Sequence, residues 1–330
     1  MLDHEIRNRI KRIIPSSLSC KYKELKVDSY LKRKQSYGHE GENQIDKSKV
    51  YFLYDACFIK DPSVTKGRIP QHIYWDRYDS GLDNHFYTDD LLFNHNWKPM
   101  RKYGILLEPE TLQPRKYKTL CQNKKLCDEF EYIFTANDNL LMSLPNAKPF
   151  INGGVYIGTS FGGGTISDVQ YENKTRNISI VSSEKRLCEL HRIRYSIARE
   201  FANREEIDCF GTFNGGKYVK VADSLMDYRY SIVIENDIQD YWITEKICNC
   251  FATMTVPIYL GSPKIGDFFN QDGIITINKK DVDNLDGIIN KCCEEDYKDR
   301  YSAIVDNFNR VKHFYCMEDW LQDEYKDILP

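Results

Sequence analysis

A chain of 330 residues that is 41% hydrophobic and 29% charged has a globular composition and room for two domains of ordinary size. Its net charge of −3 argues against general nucleic-acid binding, and no apolar run approaches the roughly 20 residues of a membrane span. Eleven cysteines in a chain this long do not make a small disulfide scaffold. Cys57, Cys188, Cys209, Cys248 and Cys250 lie in apolar segments and are expected as reduced core residues of a cytoplasmic protein. The sequons at Asn173 and Asn177 are then chance matches.

Charge is uneven along the chain. Residues 1–38 hold ten Lys/Arg against four Asp/Glu, a local +6, so the remainder carries −9. Leu2, Ile6, Ile10, Ile13 and Ile14 share one face of a predicted helix, with Arg7, Lys11 and Arg12 beside it. Such a helix suits peripheral contact with an anionic membrane, or equally packing on the protein's own acidic body. Residues 1–45 are read as a basic leader and linker.

Residues 46–165 predict a first α/β domain. Strand candidates are Val50–Tyr54, His72–Trp75, Tyr103–Leu107, Tyr132–Thr135 and Pro149–Ile151, with helices near 88–95, 115–127 and 138–143. Strands alternating with helices argue for a parallel sheet. The glycine-rich stretch 152–176 marks the expected boundary, and 166–330 the second domain. There Asn177–Ser182 predicts a strand and Glu184–Asn203 a helix, with Leu187, Leu190, Ile193, Ile197 and Phe201 at helical spacing. Strands at Ile207–Gly211 and Ile274–Ile277 and a long amphipathic helix over Asp296–Leu321 complete the domain.

The densest signal runs from Tyr230 to Pro263. Ser231–Ile234 is a β-branched strand ending at Glu235-Asn236; Thr244 is a predicted N-cap, with Glu245 and Lys246 in the first helical turn; Val256–Leu260 is a second strand. Open α/β sheets bind ligands beyond the carboxyl ends of their strands, and a helix N-terminus there offers N–H groups to a diphosphate. Lys246 adds a full positive charge, and Glu245 can accept from ribose hydroxyls.

Ile234-Glu235-Asn236, Trp242-Ile243-Thr244-Glu245-Lys246 and Val256 through Pro263 together resemble the signature of the α1,3-fucosyltransferase family, glycosyltransferase family 10. The resemblance implies a GT-B architecture of two Rossmann-like domains facing a cleft, and an inverting transfer of fucose from GDP-fucose to a glycan hydroxyl. Two alternatives stay open: the same chemistry with another GDP-linked deoxyhexose or heptose, and a non-catalytic glycan-binding protein of the same fold. Animal members carry an N-terminal transmembrane anchor; none is visible here, which is like the bacterial and viral members. Protein glycosylation and lipopolysaccharide synthesis are the processes such enzymes serve.

The resemblance also distributes roles. Lys246 and Arg192, with Arg194 as competitor, match the cations that hold the leaving diphosphate. Glu245 matches the glutamate on the donor ribose. Glu235, Asn236, Thr244 and Gly215, in the turn after the strand at 207, complete the expected donor set. Trp242 stands where the family has Tyr, so a contact through a phenolic hydroxyl is absent. Glu108, in Glu108-Pro109-Glu110, matches the catalytic base, with Glu110 as alternative. Asp76, Tyr78, Asp79 and His85 are candidates for acceptor binding, because aromatics beside acids suit a sugar. A metal site is not expected: Asp281-Val282-Asp283 fits an N-cap better than a metal motif, and His313 with Cys316 lacks partners at zinc spacing. The enzyme is expected to need no cofactor, with a divalent metal at most stimulatory.

Overall fold

The computed structural model describes residues 14–31, 47–58 and 63–330. The leader helix expected before Ile14 and the linker through Asp46 lie outside the described residues. The chain divides into two compact units, residues 1–151 with 317–330, and residues 152–316.

The first unit is built on six parallel strands in the order β2-β1-β3-β4-β5-β6. They are β1 (Val50–Tyr54), β2 (Tyr74–Asp76), β3 (Asn84–Thr88), β4 (Arg101–Ile105), β5 (Tyr132–Thr135) and β6 (Ala147–Pro149). Parallel strands covered on both faces read as near-continuous apolar runs, as Val50-Tyr51-Phe52-Leu53-Tyr54 does. Period-two alternation sends Tyr51, Phe86, Tyr103 and Phe134 to one face, where Phe86 stacks on Tyr103 with centroids 4.7 Å apart. Phe52, Tyr54 and Tyr87 go to the other face, with Leu91, Leu92 and Leu120.

Helix Ser16–Leu31 belongs to this second face: Cys20 and Val27 are buried in its core, and Ser19 and Lys23 bind Asp90 at 2.8 and 2.6 Å. These residues are therefore part of the unit and not a detached leader. The chain's last segment also returns here. Buried Glu318 accepts from Thr65 Oγ1 at 2.7 Å and Trp75 Nε1 at 3.2 Å, and Tyr325 donates to the Pro149 carbonyl at 2.7 Å. Residues 317–330 thus leave the expected second domain, and the boundary falls at 151/152 instead of 165/166. The long helix expected over Asp296–Leu321 is broken into Glu294–Asp299, Tyr301–Arg310, a 3₁₀ turn Val311–Phe314 and Met317–Glu324.

The second unit holds five parallel strands in the order β11-β10-β9-β7-β8. They are β7 (Arg176–Val181), β8 (Ile207–Phe210), β9 (Tyr228–Ile234), β10 (Val256–Leu260) and β11 (Ile275–Thr276). Central β9 and β10 are buried along almost their whole length. In the unit's own strands the order runs 2-1-3-4-5-6 in the first unit and 2-1-3-4-5 in the second, which places a topological switch point between β1 and β3 and between β7 and β9. Among the described residues no helix is long and apolar enough to cross a membrane. All eleven cysteines are free; Cys188, Cys248 and Cys250 are buried as expected, while Cys209 is half-buried and Cys57 exposed.

Candidate active site

In the second unit the switch point between β7 and β9 is where the expected donor residues gather. β9 ends at Ile234, and Glu235 continues the sheet by donating its N–H to the Leu260 carbonyl of β10 at 2.9 Å. The Glu235 carboxylate is fully buried. It accepts from Thr244 Oγ1 at 2.8 Å, from the Thr244 N–H at 3.2 Å and from Lys246 Nζ at 3.0 Å. Thr244 caps helix Glu245–Ala252 by accepting the Lys246 N–H at 3.4 Å, as its position in the sequence predicts. Lys246 Nζ also lies 3.4 Å from Glu245.

The physical consequence is a lysine held in place from below. Burial alone would lower the Lys246 ammonium, but the Glu235 and Glu245 carboxylates outweigh it and hold it above its ordinary value. Burial raises the Glu235 carboxyl and Glu245 adds to this, against the opposing pull of Lys246 and Thr244. Glu235 therefore braces Lys246 and Thr244 from behind. The sequence placed it among the groups that touch the donor; its burial removes it from that role. Lys246 keeps 23% of its side chain exposed and Glu245 30%, so these two present the site to solvent.

Helix Glu189–Phe201, on the β7 side, begins five residues later than expected, with Cys188 at its N-cap position. Arg194 reaches back to β9, donating to the Ile234 carbonyl at 2.7 Å and to Asn236 Oδ1 at 3.5 Å. Burial lowers the Arg194 guanidinium, opposed by Glu235. Arg192 lies on the exposed side, its guanidinium 3.4 Å from the Arg186 carbonyl. The geometry thus brings Arg194 into the Glu235–Lys246 group and leaves Arg192 facing solvent. His191 was missed in the sequence. It is buried, its Nε2 lies 2.9 Å from Asn236 Oδ1, and burial and then Arg194 push its pKa down to about 4. It is neutral at pH 7 and bonds across the switch point.

Trp242 is buried beside this group, and its indole N–H has no partner among the described residues. Gly215 sits in the loop after β8 with φ +70, and a Cβ there would meet open space. Gly211 opens that loop with φ +100; a Cβ there would lie 2.1 Å from the Ser182 carbonyl, so the close approach of the loop to the β7 end requires glycine.

In the first unit the carboxyl ends of β1, β3 and β4 carry a buried charged cluster that sequence reading missed. Asp55 follows β1 and accepts from Thr88 Oγ1 at 2.6 Å, with Arg77 3.5 Å away. Asp89 follows β3 and pairs with the buried ammonium of Lys116. The Thr-Asp-Asp run at residues 88–90, at the end of a strand, was the available signal. Glu108 lies three residues past β4, half-buried, with its N–H 3.3 Å from Asp89 Oδ1. Glu110 accepts from Asn137 Nδ2 at 2.9 Å and is committed to the turn that opens helix Asp138–Ser143.

The acceptor candidates divide. Asp76 Oδ1 accepts the N–H groups of Tyr78 and Asp79 at 2.6 and 2.8 Å, and Asp79 accepts that of Gly81 at 2.9 Å, so both acids shape the turn between β2 and β3. Tyr78 is half-buried in the same turn. His85 is a correction: it lies inside β3, buried between Phe52 and Trp97, and burial lowers its pKa. It is a core histidine and not an acceptor contact. No group of three or more acidic, histidine or cysteine side chains that could hold a metal occurs among the described residues. Asp281 accepts the Asn278 N–H at 2.8 Å and closes a turn.

Residues 171–314, within the second unit, match the family model described as "Glycosyltransferase family 10 (fucosyltransferase) C-term". Among solved structures, an α1,3-fucosyltransferase with GDP is similar over 92% of this chain and 96% of its own, at 15% identity and a TM-score of 0.51. One with GDP-fucose is similar over 88% of this chain and 95% of its own, at 14% identity and a TM-score of 0.47. No curated protein matches the chain. Two parallel-sheet units, each with a switch point in its strand order, share the GT-B fold of that α1,3-fucosyltransferase with GDP. The second unit is thus similar, over residues 171–314, to the C-terminal domain of glycosyltransferase family 10, the fucosyltransferase family.

Proposed function

We propose that this chain transfers fucose from GDP-fucose to a hydroxyl of a glycan acceptor, with inversion at the anomeric carbon and without a required metal ion. The observation that carries this reading is the group at the end of β9, where fully buried Glu235 and the Thr244 cap hold Lys246 at the N-terminus of helix Glu245–Ala252. A lysine and a helix N-terminus together stabilise the charge that develops on a departing diphosphate. Arg194, fixed on the Ile234 carbonyl, adds a second positive charge to that group. Arg192 supplies a third from the solvent side of the same helix. These cations do the work a metal would do elsewhere. Glu245 accepts from the ribose hydroxyls, and Asn236 and the loop at Gly215 complete the nucleotide contacts, while buried Trp242 packs beneath the group.

Glu108 is the base. It takes the proton of the acceptor hydroxyl as the new glycosidic bond forms and the bond to the diphosphate breaks. Positioned general bases contribute about 10²–10⁴-fold. Asp76, Tyr78 and Asp79, in the turn after β2, are the acceptor contacts in this reading. The test is nucleotide recognition: GDP should raise the melting temperature more than UDP or ADP does, and GDP-fucose should be hydrolysed slowly without an acceptor. Equal stabilisation by all three nucleotides, with no GDP-fucose breakdown, contradicts the proposal.

A further inference from the structure

Asp89 is in an unusual state for a buried acid. It adopts φ +50, the left-handed region that a non-glycine residue enters at a cost of about 1–3 kcal/mol. The bend turns its carboxylate toward the end of β4. Oδ1 accepts the N–H of Leu107 at 3.2 Å and of Glu108 at 3.3 Å, and the Lys116 ammonium bonds the same oxygen. From the other side the Tyr117 hydroxyl donates to the Glu108 carbonyl at 2.6 Å. The peptide groups on both sides of the Glu108 Cα are therefore tied to side chains.

We propose that Asp89 and Tyr117 are positioning residues that clamp the backbone of Glu108, and that Lys116 balances the Asp89 charge so that Glu108 stays a competent base. The inference rests on the reading of Glu108 as that base. The surrounding charges are paired. Asp90 bonds Lys23 and Ser19, and Asp55 bonds Thr88 and faces Arg77. The Cys57 thiol lies 3.8 Å from Asp89 Oδ2.

Removing one member of a balanced pair exposes Glu108 to the other. Asp89→Asn keeps an acceptor oxygen and a residue type that tolerates positive φ, and leaves Lys116 unpaired. An uncompensated cation favours the carboxylate form, so the acid limb of the kcat/KM profile should move to lower pH. Lys116→Met leaves Asp89 unpaired, which disfavours a second carboxylate, so the limb should move to higher pH. Each shift should be at least about half a pH unit. Tyr117→Phe removes only the hydroxyl. It should lower kcat about tenfold while donor KM and GDP affinity stay unchanged.

The measurement is a pH–rate profile of the full chain and these three variants, with Glu108→Gln as reference. If Glu108→Gln keeps wild-type turnover, the reading of the base fails and the clamp falls with it. If Glu108→Gln is inactive yet the acid limbs of Asp89→Asn and Lys116→Met do not move in opposite directions, or Tyr117→Phe turns over normally, the base stands and the clamp is overturned. Should Asp89→Asn or Lys116→Met fail to fold, Tyr117→Phe decides alone.

Discussion

Lys246→Ala separates what the lysine does for the fold from what it does for the nucleotide. The side chain makes a 3.0 Å bond to Glu235 and a 2.9 Å bond to Thr244, and keeps part of its surface open. Truncation leaves the Glu235 carboxylate buried with Thr244 as its only remaining bonded partner described here. Loss of one partner from a buried ionic pair costs about 3–5 kcal/mol when fully dry; partial exposure of Lys246 places the expected loss at roughly the lower end. Glu235 should then take up a proton, and Lys246→Ala with Glu235→Gln should recover most of the lost melting temperature. GDP affinity should behave differently. Losing a charge-assisted contact to a diphosphate costs about 1.5–3 kcal/mol, or roughly tenfold to more than a hundredfold in Kd. The second substitution should not restore it. Thermal unfolding and calorimetric GDP titration of both variants give the two readouts. Unchanged GDP affinity in Lys246→Ala, or its full rescue by Glu235→Gln, refutes the assignment of Lys246 to the diphosphate.

Glu108→Gln should lower turnover by at least about a hundredfold with GDP affinity unchanged; Glu110→Gln should lose only the bond to Asn137, and the reverse pattern in a steady-state assay would move the base by two residues. His191, with its pKa pushed down to about 4 from 6.5, binds a proton more readily unfolded than folded, so its stabilising contribution is present above pH 6.5 and lost as pH falls toward 4. Its size is on the order of 3 kcal/mol, and denaturant unfolding should show a shallower loss between pH 6.5 and 4 in His191→Asn. Chelation of divalent metal should leave turnover largely intact; complete loss restored by one metal alone would show that protein cations do not suffice. Liposome co-sedimentation should fall when residues 1–13 are removed, and equal sedimentation would end the idea of a membrane-binding leader. Truncation at Gly38 is unsuitable because it removes Cys20 and Val27 from the core.

Sequence patterns located the strongest elements because local chemistry specified them. The run Ser231–Ile234, the cap at Thr244 and the strand Val256–Leu260 each carry an apolar or capping signal that tertiary context did not override. β3 was missed for a physical reason. Asn84-His85-Phe86-Tyr87-Thr88 has polar residues at positions the sheet buries, and His85 is accommodated by Phe52, Tyr87 and Trp97 from distant parts of the chain. That error made a core histidine look like a sugar contact. Helix Ser16–Leu31 was hidden by its lysines: Lys23 is satisfied by Asp90 and Lys26 by the Ala56 carbonyl, partners that spacing along the chain cannot reveal. The final helix joined the wrong domain because Glu318 is invisible as an anchor until the loop at 63–65 and Trp75 surround it. In the group at the end of β9, sequence supplied the residue types, while the division of labour came from burial. Glu235 braces, Glu245 and Lys246 remain open, and Arg194 turns inward where Arg192 does not.

The most direct test of the central claim is a panel of nucleotide sugars offered to the purified protein with a glycan acceptor, read by nucleotide release and by the anomeric configuration of the product. The account predicts release of GDP from GDP-fucose, a product of inverted configuration, and loss of that turnover in both Lys246→Ala and Glu108→Gln. Turnover of a UDP-sugar in preference, a product of retained configuration, or full activity in either variant would contradict it.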